Sequence, residues 1–101
     1  MISTAEAVKH LSIDLGMNED VLVREAIVEY IKSRIKACMW DRLEIMSKYQ
    51  VSSLKEFEKR VQDGSVHEHP GWEDLIILEN IENSINKLRT ELSHVKDVPI
   101  A

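Results

Sequence analysis

The sequence predicts an all-α fold: a helical bundle with a long second helix and a C-terminal helix of heptad pattern, assembled as a dimer. Three observations carry that expectation. No Gly or Pro interrupts the 47 residues from Met17 to Asp63, which excludes a sheet built on tight turns. Ser3 with Glu6, and Ser53 with Glu56, have the spacing of a helix N-terminal capping box. Apolar residues then recur at intervals of three and four, with no strand-like alternation. At 101 residues, with 44% hydrophobic and 31% charged side chains, the chain has room for one folded domain spanning 1–101. It divides into a dimerising helix pair (1–48), a short helix and loop (49–71), and a C-terminal helix that binds a partner or completes the bundle (72–97).

The first helix is expected over 4–15. Ser3 caps it, Gly16 supplies the left-handed stop, and Val8, Leu11 and Leu15 form its apolar stripe. Asn18 caps the second, with Glu19 and Asp20 complementing its dipole, and no stop appears before Tyr49–Ser53. Some thirty residues at about 1.5 Å each give a rod of roughly 45 Å. A compact domain of this size is only about 34 Å across, so the rod either kinks or projects beyond its own domain.

Glu25, Glu29, Lys32, Ser33 and Lys36 occupy one arc of about 100° on that rod, while Val23, Ile27, Tyr30, Ile31, Ile35, Cys38 and Met39 share most of the rest. A helix apolar on about two-thirds of its girth needs packing partners on more than one side. The expected dimer surface is Val8, Leu11, Leu15, Leu22, Val23, Ala26, Ile27, Tyr30, Ile31 and Ile35.

Ser53 opens a third helix bearing Leu54, Phe57 and Val61, and Gly64 ends it. After the loop GSVHEHPG, a fourth helix runs from Trp72 to about Val95. Its Leu78, Ile81, Ile85, Leu88, Leu92 and Val95 are separated by 3, 4, 3, 4 and 3, a heptad seam too short to stand alone. Trp72, Leu78, Ile81, Ile85 and Leu88 are the expected partner-binding residues, laid into a groove of another protein. Val98-Pro99-Ile100 reads as a frayed tail.

The net charge is −5, divided as −1 over residues 1–50 (7 basic, 8 acidic) and −4 over 51–101 (6 basic, 10 acidic). General affinity for nucleic acid is disfavoured, because phosphate contacts need a local excess of cations. The one basic concentration is Lys32, Arg34, Lys36 and Arg42, which would carry DNA binding if any occurs. Cys38 stands alone, so an intrachain disulfide is excluded and a reducing cytoplasm is expected. MISTAEAVKH lacks the pattern of a signal peptide, and no apolar run is long enough to span a bilayer.

VKHLSIDLGMNEDVLVREAIVEYI, Val8 to Ile31, resembles the two-helix part of the ribbon-helix-helix family. The shared features are Leu15-Gly16, the turn Met17-Asn18, and Leu22-Val23-Arg24-Glu25-Ala26 followed by Ile27, Tyr30 and Ile31. The resemblance implies an intertwined dimer of the repressor or antitoxin kind. It also implies a DNA-reading strand before the first helix, where only Met1 and Ile2 precede the cap. Glu19 and Asp20 moreover place carboxylates where that family seats a DNA phosphate. The pairing helices are thus expected without the DNA contacts. HPGWEDLIILENIE, His69 to Glu82, is similar to a segment of small archaeal and bacterial helical proteins associated with toxin–antitoxin pairs.

Arg89 and His94 have the spacing of the HEPN-type ribonucleases, in which a histidine serves as general acid–base, but Thr90 stands where those enzymes carry Asn, Asp or His. His67 and His69, beside Glu68 and Glu73, form a loop pattern too sparse for a metal site. Arg34, Asp41 and Lys48, seven apart, are surface charges or else a polar seam facing a second chain. Trp40 and Trp72 are expected as core anchors, or as binding hot spots if exposed. No catalytic constellation and no cofactor fingerprint is present. The expected function is a non-enzymatic, antitoxin-like interaction protein. The alternatives are a ribbon-helix-helix-like transcriptional regulator and an HEPN-type ribonuclease.

Overall fold

The computed structural model describes residues 1–98, and among them every regular element is helical. The first helix, α1, spans Thr4–Leu15. Ser3 Oγ accepts from the Glu6 N–H at 3.1 Å, and Gly16 closes the helix at φ 65°, where its missing Cβ removes the usual penalty. Asn18 Oδ1 accepts from the Asp20 and Val21 N–H groups at 2.8 and 3.3 Å and starts α2, Glu19–Tyr49. Its 31 residues make a rod of roughly 46 Å. The rod ends at Gln50, a non-glycine in the left-handed region at φ 53°, with the Val51 N–H bonded back to the Met46 carbonyl.

The third helix, α3 (Leu54–Gln62), is capped by Ser53 Oγ, which accepts from the Glu56 N–H at 3.0 Å. The reciprocal bond lands one residue further back than the capping box expects. Glu56 Oε2 accepts from the Ser52 N–H and hydroxyl at 2.9 and 2.8 Å. The fourth helix, α4, spans Glu68–Asp97, but His69 interrupts it with extended backbone, so Pro70 takes the first position of the regular run. The expected start at Trp72 is therefore slightly late. Of the expected frayed tail, Pro99 and Ile100 lie outside the described residues.

Along the α2–α4 pair the partners run in opposite senses. Arg24 donates to the Lys96 and Val98 carbonyls at 2.5 and 3.3 Å, Arg42 pairs with Glu82 at 3.3 Å, and Lys48 pairs with Asp74 at 2.9 Å. The two long helices form an antiparallel hairpin, with Arg24 satisfying the free carbonyls at the end of α4. At its closed end α3 folds in. Phe57 and Val61 bury against Val51, Leu75 and Leu78, with Tyr49 edge-on to Phe57 at 4.4 Å between ring centres. Arg60 straps α3 to the end of α2 by donating to the Tyr49 carbonyl at 3.1 Å. At the open end, α1 packs on the first turns of α2.

The dimensions are 60 × 30 × 17 Å and the radius of gyration is 19.8 Å. A compact chain of this length would have a radius near 13 Å. The second helix is thus a long rod, and with α4 antiparallel along it the fold is an elongated hairpin.

Candidate interaction surfaces

An elongated hairpin leaves each long helix with sides that no neighbour covers. The accessible surface is 7515 Å², against about 5,900 Å² for a compact globule of 11.7 kDa. Among the described residues eight apolar side chains are buried: Val28, Ile31, Val51, Phe57, Val61, Leu75, Leu78 and Ile85. Exposed apolar residues of α2 line two surfaces.

The first is a groove of about 360 Å³ between α1 and α2, lined by Val8, Leu11, Leu22, Val23, Ala26, Ile27 and Tyr30. It arises because the Gly16 turn folds α1 back onto the first turns of α2, so that the apolar stripes of both helices open on one side. Leu11, Leu15, Val23, Ala26, Ile27 and Tyr30 are exposed, and Val8 and Leu22 half-buried. Seven of the ten residues expected at a dimer surface therefore line this groove, and Leu15 is exposed at the end of α1. The other two stand elsewhere. Ile31 is buried and Ile35 half-buried. Both lie within about 20° of Arg24 and Arg42 around the helix, the side bonded to α4, and belong to the intrachain seam.

The second surface, also of about 360 Å³, is lined by Lys36, Met39, Trp40, Arg42, Leu43 and Met46. Trp40 is 63% exposed at its centre. Trp72, on α4, is 41% exposed, with its indole N–H donating to Glu68 at 3.0 Å. Neither tryptophan is a core anchor, which corrects that expectation. The core aromatic is Phe57, supported by Tyr49.

The heptad seam of α4 is likewise corrected in its role. Leu78 and Ile85 are 0% and 1% exposed and pack inside the hairpin, so they can enter a foreign groove only if α4 leaves α2. Ile81 and Leu88 are half-buried on the flank of that seam. The apolar residues α4 does present are Trp72, Ile76 and Ile77.

The four cations considered for nucleic acid do not form one patch. Arg42 is held by Glu82 at 3.3 Å and Lys32 by Glu29 at 3.5 Å, while Arg34 lies about 160° around the helix from Lys36. Arg89 and His94 are exposed. His69 Nδ1 lies 2.7 Å from Glu73, and no group of three or more His, Cys, Asp or Glu side chains gathers at metal-binding distance among the described residues. Cys38 is half-buried as a free thiol.

A polar cluster not anticipated from the sequence locks the closed end. Asp74 on α4 accepts from the Tyr49 hydroxyl and from Lys48 Nζ. The Tyr49 bond, followed by that of Lys48, holds the Asp74 carboxyl below its ordinary 3.8. Burial, then the Asp74 bond, pushes the Tyr49 hydroxyl above 10.0. The Asp74 bond raises Lys48 above 10.5. The residues lie some 25 apart in sequence, and only the hairpin register brings them together. The cluster ties two helices, and its Lys48 and Tyr49 also line an open groove of about 380 Å³ with Gln50, Arg60, Ser65, Val66, His67 and Pro70.

The fold and its surfaces define a class: an all-helical hairpin that presents exposed apolar side chains on α1, α2 and α4. The chain belongs to the Uncharacterized protein MJ0235 family, whose model matches residues 1–98. No curated protein and no solved structure matches significantly. No helix among the described residues is long and apolar enough to cross a membrane.

Proposed function

We propose that the protein is a non-enzymatic protein–protein interaction protein, antitoxin-like in mode: it covers a groove of a partner protein with an apolar helical face and so occludes it. The observation that carries the reading is the Met39–Trp40–Leu43 face of α2, where a tryptophan 63% exposed stands among apolar neighbours beside Lys36. Tryptophan is enriched among the few residues that dominate binding energy at interfaces. The net charge of −5 favours encounter with a basic, toxin-like partner. The cytoplasm suits the lone thiol of Cys38. The partner face assigned from the heptad pattern moves accordingly from Leu78 and Ile85 to α2.

The test is coexpression with the product of a small neighbouring gene. That product is expected to arrest growth when expressed alone and to be neutralised by the wild-type chain but not by Trp40→Asp. A harmless neighbour, or neutralisation that Trp40→Asp leaves intact, refutes the reading.

A further inference from the structure

We infer that the α1–α2 groove is filled by a second copy of this chain, with the two α2 helices antiparallel and crossing near Ala26. Glu19, Val23, Ala26, Ile27, Tyr30 and Arg34 lie within one arc of about 100° on α2, and all are exposed. The stripe is small at its centre, apolar around it, and oppositely charged at its two ends. Glu19 and Arg34 are fifteen residues apart, roughly 22 Å along the axis, so they cannot meet within one chain. Neither takes part in an ion pair among the described residues.

A two-fold axis at Ala26–Ile27 resolves each of these features. Tyr30 of one copy packs over Val23 of the other, the Ala26 side chains let the rods approach, and each Arg34 reaches the other copy's Glu19. A parallel pairing in register would instead set Arg34 on Arg34 and Glu19 on Glu19, which costs free energy at both ends. Area points the same way. The chain exposes about 1,600 Å² more than a compact globule of its mass, roughly twice the 800 Å² or so that each partner buries in a standard interface. The Met39–Trp40–Leu43 face is centred about 140° away around α2, so the dimer leaves it open and the two inferences fail independently.

Sedimentation equilibrium over a wide concentration range tests the pairing in five samples. The wild type is expected to dimerise. Arg34→Glu and Glu19→Arg, which set like charges together at both ends, are each expected to weaken association by roughly tenfold. Mixing these two single variants restores opposite charges at both ends, and the mixture is expected to regain wild-type affinity as a heterodimer. The double variant Arg34→Glu/Glu19→Arg is expected to regain it as a homodimer, with helical circular dichroism confirming that every sample is folded. An 11.7 kDa species at all concentrations overturns the inference. So do single variants that associate normally, and a mixture that fails to recover.

Discussion

Replacing Phe57 by Ala tests whether the closed end is the seat of stability. Phe57 is 0% exposed, sits edge-on to Tyr49 at 4.4 Å, and clusters with Val51, Val61, Leu75 and Leu78. Truncation removes on the order of 100 Å² of buried apolar surface, worth about 2.5 kcal/mol at 25 cal/mol per Å². Loss of the edge-to-face pair adds about 0.5–1.5 kcal/mol, and incomplete collapse of the cavity adds more. The total is about 3–5 kcal/mol, a large fraction of the 5–15 kcal/mol typical of a whole domain. Urea unfolding followed by circular dichroism measures it. At a slope of about 1.5 kcal/mol per molar, the midpoint falls by roughly 2–3 M. Protein concentration must be held fixed, because self-association shifts apparent stability. Leu43→Ala serves as the contrast, since Leu43 is 53% exposed and its loss is expected to change stability by less than about 0.5 kcal/mol. If Phe57→Ala costs under about 1 kcal/mol, or no more than Leu43→Ala, then α3 is not anchored as described.

Two further outcomes follow from the closed end. Asp74 has its pKa lowered from 3.8, so its contribution to stability is present above that value and lost as pH falls through the folded-state pKa; Asp74→Asn is expected to flatten the acid limb of a pH–stability profile. Lys48 and Tyr49 are raised from 10.5 and 10.0, so their contributions hold below those values and are lost as pH climbs through the folded pKa values; the same variant is expected to flatten the alkaline limb, and unchanged limbs would count against the cluster. Gln50→Gly relieves a left-handed residue at φ 53°, and is expected to raise the thermal midpoint by an amount equivalent to about 0.5–1 kcal/mol. A lower midpoint would refute the assignment of strain to that cap.

Helix positions were legible because their signals are local. Ser3, Asn18 and Ser53 each cap the helix that follows, and Gly16 stops α1, since a side chain reaching an N–H two or three residues ahead needs no knowledge of the fold. What an apolar stripe packs against was not legible. The α4 seam reads equally well as a surface for another protein or for α2, and only the hairpin register shows that Leu78 and Ile85 face inward. Continuing the alternation of threes and fours upstream from Leu78 lands on Asp74, so the pattern misses the buried Leu75. The Tyr49–Asp74–Lys48 cluster carried no signal, because its members lie on different helices and meet only through tertiary register.

The long second helix explains why a single chain leaves so much uncovered. One side of α2, marked by Arg24, Val28, Ile31 and Arg42, is answered by α4. The side of Val23, Ile27 and Tyr30 receives only the twelve residues of α1, whose one buried side chain is Ser12. The side of Met39 and Leu43 receives nothing, since α3 reaches only the closed end. Adding a third long helix would bury both sides, but α3 has nine residues and serves to close the hairpin. With apolar side chains on about two-thirds of the girth of one rod, α4 covers one side, and the second copy and the partner protein proposed above account for the others. Placing the densest core at the closed end lets this happen without loss of the fold: Phe57, Leu75 and Leu78 hold the hairpin together whether or not the outer faces are occupied.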